Sequence, residues 1–142
     1  MSTMSFREKS AWVSFICIAV VFGIYFSTVF HVLPDWWRAR DSFHLFLRLV
    51  GALVVLEIIL HVAIAIQSPR EARSPKDERE QLIDLRATRV AFRVLLVGTF
   101  AAIGTLHMPG NRLDMAHVML LSIVIAELTR FGMQIVYHRR GF

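Results

Sequence analysis

Ser68-Pro69-Arg70-Glu71-Ala72-Arg73-Ser74-Pro75-Lys76-Asp77-Glu78-Arg79-Glu80 opens a charged stretch that continues through Asp84, Arg86 and Arg89 to Arg93. Apolar blocks of similar length flank it, each long enough to cross a membrane twice. The layout predicts two membrane hairpins joined by one charged bridge. Inside the bridge, Ser74-Pro75-Lys76-Asp77 has the signature of a helix start: a serine cap, proline at the first helical position and an acid at the third. Asp77, Glu78 and Glu80 in that first turn complement the helix dipole. The expectation is a helix capped at Ser74 that enters the membrane near Val90 without a break. Leu82 and Leu85, with Arg86 and Arg89, would make its lower part an amphipathic surface near the headgroups.

Composition points the same way. Of the 142 residues, 56% are hydrophobic and the mean hydropathy is +0.55, whereas a soluble domain carries roughly 45–50% apolar residues. The net charge of +5 could indicate nucleic acid. The basic residues, however, sit beside apolar segments and at the chain ends, where the positive-inside rule puts them. The helical reading leaves no basic-aromatic platform outside the membrane, so no nucleic-acid partner is expected. Cys17, the only cysteine, lies in an apolar run and permits neither an internal disulfide nor a CxxC site.

Working outward from the bridge gives four spans, at about 11–32, 43–66, 90–107 and 115–137, with a connector at 68–89, in one membrane domain of residues 1–142. The first run, about 33 Å long as a helix, exceeds the ~7–15 apolar residues of a signal peptide and reads as an uncleaved span. Pro34, Asp35, Trp36, Trp37, Arg38, Arg40 and Asp41 form the first turn, with the tryptophans at headgroup level. Met108-Pro109-Gly110-Asn111 forms the second. Arg7, Lys9, the basic residues of the bridge, Arg139 and Arg140 outweigh Arg38, Arg40 and Arg112 on the opposite side. Both termini and the bridge are therefore expected in the cytoplasm of a bacterial cell, and the fold class is an all-α four-helix membrane bundle of two hairpins. Ala19, Gly23 and Ser27, and then Gly98 with Ala102, are small-residue stripes that let helices approach closely, inside the bundle or in a homodimer.

Ionisable groups within spans cost about 2.5–3.5 kcal/mol each on insertion scales, so they need partners or a wet cavity. Glu57 and His61 share a helix face, as do Glu127, Arg130 and Gln134, while Arg93 continues the stripe of Arg86 and Arg89. One reading joins Glu57, His61, Arg93, Glu127, Arg130 and Gln134 into a buried polar network that locks the bundle. The other makes Glu57 or Glu127 a proton-carrying or cation-binding carboxylate of a small carrier. His31, His44, His107 and His117 fall one at the outer end of each span. Imidazoles there are weak candidates for metal or haem, because no HxxxH or ExxH spacing joins them, and interfacial anchoring is the simpler role. No nucleophile–base set, phosphate loop or metal motif appears, so no enzyme and no resident cofactor are expected.

Asp77-Glu78-Arg79-Glu80 followed by Ile83, Ala87, Arg89 and Ala91, with Ala126-Glu127 and the closing Tyr137-His138-Arg139-Arg140-Gly141, resembles a group of small uncharacterised prokaryotic four-span membrane proteins. The likeness covers the second half best. Members of that group are often encoded beside a helix-turn-helix regulator, which implies a sensory, regulatory or accessory role through a membrane or cytoplasmic partner. No catalytic residues come with the resemblance.

Overall fold

The computed structural model describes residues 5–30, 42–67, 69–107 and 112–140. Its elements are α1 (Phe6–Val29), α2 (Ser42–Gln67), the short α3 (Pro69–Arg73), α4 (Glu78–Gly104) with a 3₁₀ turn (Thr105–His107), and α5 (Arg112–Arg140). No strand occurs among the described residues. The two turns expected at Pro34–Asp41 and Met108–Asn111 lie outside the described residues.

Four helices are long and apolar enough to cross a membrane, which makes this a multi-pass, all-helical protein of membrane-spanning character. Side-chain exposure supports that reading. Along α2, Val55, Ile58, Ile59 and Ile66 are 57–73% exposed, an apolar surface that is stable against acyl chains but not against water. The hydroxyls of Thr28, Thr99, Ser122 and Thr129 each donate to the carbonyl one turn earlier, at 2.7–2.9 Å. Such back-bonding satisfies a hydroxyl inside its own helix, as a medium without water demands.

The chain divides into two compact units, Met1–Ser74 and Pro75–Phe142. In the first, α1 and α2 form an antiparallel pair. Ala11, Ser14, Ile18, Val21, Tyr25 and Thr28 are buried at alternating spacings of three and four, the periodicity of a coiled-coil-like seam. Tyr25 carries that stripe onto α2 through an edge-to-face contact with Phe46, centroids 6.0 Å apart. Ser5 caps α1 by accepting from the Glu8 amide at 3.2 Å. Arg7 Nη2 donates to the Ser74 carbonyl at 3.2 Å, so the start of α1 and the end of this unit lie at one level. Gly23 faces open space, with nothing near enough to meet an added Cβ.

In the second unit α4 packs against α5. Ile83, Ala87, Ala91 and Ala102 are buried on α4, with Ala87 and Ala102 at 0% exposure, and Ser122, Val124, Ala126 and Ile135 are buried on α5. At Gly98 the two helices come close. A methyl there would land on the Ser122 side chain and lie 3.3 Å from its Cα. Small residues on both helices produce this proximity, because association in lipid depends on close packing rather than on escape from water.

Candidate functional site

The helix start differs from the expectation at Ser74. Ser74 to Asp77 is not helical and Asp77 is the cap. Its carboxylate accepts from the Glu78 amide at 2.8 Å, and Glu80 Oε2 accepts from the Asp77 amide at 3.2 Å. This capping box satisfies amides at both ends of the first turn reciprocally, which the serine three residues earlier cannot match. Gln81 Nε2 then donates to the Lys76 carbonyl at 3.1 Å, fixing the entry strand. From Glu78 the helix runs unbroken into the apolar region, as expected.

Asp84 is the centre of the junction between α4 and the C-terminal part of α5. Lys76 Nζ lies 2.7 Å from Oδ2, Gln134 Nε2 donates to Oδ1 at 2.8 Å, and Arg130 Nη2 stands 3.7 Å from Oδ1. Arg130 Nη1 also reaches Glu127 Oε2 at 3.6 Å, and its guanidinium sits over the Phe131 ring, 5.5 Å from the centroid. The hydrogen bond from Lys76 is the largest cause holding the Asp84 carboxyl below its ordinary pKa. Partial burial opposes it, and the charges of Lys76 and Arg130 and the Gln134 hydrogen bond reinforce it. Asp84 was not singled out from the sequence. Its signal is helical phase: it borders the stripe of Ile83, Ala87 and Ala91 and so sits beside the seam, unlike the arginines around it.

On another side of α4 near its start lies a groove of ≈ 210 Å³ lined by Glu78, Arg79, Leu82, Ile83, Arg86 and Tyr137. Arg86, Arg89 and Arg93 are exposed on α4 and make no ion pair among the described residues.

The residues expected to form a polar network are placed as follows. In the second unit Glu127, Arg130 and Gln134 stand on one stretch of α5, with Arg130 bridging Glu127 and Asp84. Gln134 turns to Asp84. In the first unit Glu57 Oε1 is sealed from solvent with no hydrogen-bond partner among the described residues. His61 Nδ1 contacts the Glu57 backbone carbonyl at 2.8 Å, a local contact along its own helix.

Of the outer histidines, His31 lies outside the described residues. His44 and His107 are exposed and His117 is half-buried. Among the described residues no group of three His, Cys, Asp or Glu side chains is arranged to hold a metal ion. No protein-family model, no curated protein and no solved structure matches this chain.

Proposed function

We propose that this chain is a non-enzymatic module of the bacterial inner membrane, sensory, regulatory or accessory in role, that meets a partner through its cytoplasmic bridge and the start of α4. The observation that carries this reading is the Asp84 junction. A capped, charged helix start is tied to the end of α5 and continues without interruption into a membrane-spanning segment. A partner that displaces the helix start therefore moves the span with it.

The topology has support from both hairpins. Within the first unit Arg7 bonds the Ser74 carbonyl, and within the second Gln134 bonds Asp84, contacts that agree with each hairpin closing at its bridge end. The excess of basic residues in the bridge and at the chain ends supports a cytoplasmic side for them. The register of α4 against α5, read from Gly98 beside Ser122 and Asp84 beside Gln134, carries Val90 to the turn of Leu128–Arg130. The likeness to small prokaryotic four-span proteins agrees with a regulatory role.

A photo-crosslinking residue at Arg79 or Leu82, activated in native cells, tests the module. The expected result is a discrete protein adduct absent when the crosslinker stands at Val55 on α2. Adducts of equal pattern and yield at the two places would remove the bridge as a docking element.

The orphan Glu57 oxygen favours one second reading, a proton- or cation-coupled carrier. An unpartnered carboxylate oxygen inside a hairpin is what a proton or cation would meet, and intramembrane acids commonly mark ion pathways. Proton-linked solute flux in vesicles that is lost in Glu57→Gln would favour it over the module.

A further inference from the structure

We propose that the inner end of α4 is a binding site for an anionic glycerophospholipid, with the headgroup phosphate held by Arg86, Arg89 and Arg93. At about 100° per residue these three side chains fall within an arc of about 60°, spread over about 10 Å of helix axis. That face points well away from the seam of Ala87, Ala91, Gly98 and Ala102. All three are exposed, and no acid among the described residues pairs with them. Asp84, the nearest carboxylate in sequence, is engaged by Lys76, Gln134 and Arg130 on the seam side. Glu78 and Glu80 lie about two turns lower, with Glu78 on the rim of the groove that Arg79, Arg86 and Tyr137 also line.

The apolar residues above the arginines make the ligand a lipid. Leu96, Val97 and Phe100 continue the same face toward the outer end of the helix and are 43%, 72% and 72% exposed. A phosphate at the arginines with an acyl chain along these three side chains matches the head-then-tail order of a phospholipid in the inner leaflet. Arginine suits the role, since its planar fork meets phosphate oxygens in pairs and stays charged when partly desolvated. Basic residues at a cytoplasmic membrane face gain roughly fivefold each in affinity for anionic lipid. A zwitterionic headgroup offers no such gain.

The inference rests on the membrane reading but not on any protein partner, so the test is done on purified full-length protein in detergent. Native mass spectrometry with added phosphatidylglycerol or phosphatidylcholine reads bound lipid directly. Wild type should retain phosphatidylglycerol preferentially. The Arg86→Gln/Arg89→Gln/Arg93→Gln variant should lose about 100-fold in apparent affinity, and the triple lysine variant should keep most of it. Arg48→Gln, which removes an exposed arginine from α2, should leave binding unchanged. If the triple variant loses its helical circular dichroism, the three single variants take its place, each expected about fivefold weaker. Equal retention of the two lipids, or glutamine variants that bind as wild type does, overturns the proposal. Displacement of phosphatidylglycerol by millimolar inorganic phosphate would also overturn it, because that outcome describes a free-anion site without a lipid.

Discussion

Replacing Gly98 by alanine should push α4 away from α5. The added methyl meets Cβ and Oγ of Ser122 and stands 3.3 Å from the Ser122 Cα. The serine side chain cannot swing aside freely, because its hydroxyl is bonded to the Val118 carbonyl at 2.7 Å, and its Cβ would remain in the way. Overpacking a tight interface costs about 1–3 kcal/mol, while exchanging glycine for alanine inside a helix returns up to about 1 kcal/mol. With backbone as well as side chain in the path, the upper half of the cost range applies, and the net loss is about 1–2 kcal/mol. Gly23, Gly51 and Gly104 have nothing within 4 Å of an added Cβ, so alanine at those positions should be neutral or stabilising by up to about 1 kcal/mol. Unfolding in mixed micelles, followed by circular dichroism as denaturing detergent is raised, separates the two groups. The Gly98→Ala/Ser122→Gly double variant moves the side chain from one helix to the other and should recover most of the loss, a coupling that a double-mutant cycle measures. A Gly98→Ala protein as stable as Gly23→Ala would refute the close approach.

Three further outcomes follow from the junction and the spans. Asp77→Ala removes the capping box, so amides of Glu78 to Gln81 should exchange hydrogen faster, by an amount equivalent to about 1 kcal/mol, while those of Ala91 to Gly98 stay protected; uniform protection would contradict the cap. The Asp84 carboxyl titrates lower when folded, so its stabilisation is fully present above the ordinary value of 3.8 and is lost as pH falls through the lower folded value. Asp84→Asn should therefore be less stable than wild type at neutral pH and equal to it in strong acid, and a gap independent of pH would count against the Lys76–Asp84–Gln134 cluster. Glu57→Gln keeps the shape of a side chain that no described residue balances, so its unfolding midpoint should match or exceed that of wild type; a drop of about 1 kcal/mol or more would reveal an ionic partner.

Much of this architecture is legible in the residues because membrane helices obey few constraints. Runs of about 20 apolar residues flanked by charge leave little choice. The stop at Gln67 and the continuous α4 across Val90 follow from composition and capping chemistry. Two features were harder to see. Ser74-Pro75 and Asp77-x-x-Glu80 are competing helix starts three residues apart, and only the reciprocal hydrogen bonds of the second decide between them. The Asp84 junction depends on the register of α4 against α5, which one helix's periodicity cannot supply. It is set by Gly98 fitting against Ser122, and that fit brings Asp84 level with Gln134. Gly23 and Gly98 look equivalent as small residues in apolar runs, yet one faces open space and the other the Ser122 side chain of α5. A stripe pattern marks where helices can approach, while the partner helix determines whether they do.

The central claim is that the bridge and the start of α4 face the cytoplasm while the two hairpin turns face the other side. Single cysteines at Arg79 and Arg38, introduced into a Cys17→Ala protein and challenged with a membrane-impermeant maleimide, test it most directly. The account predicts that position 79 is labelled in inverted vesicles but not in intact spheroplasts, and that position 38 shows the reverse. Labelling of position 79 from outside intact spheroplasts would contradict it.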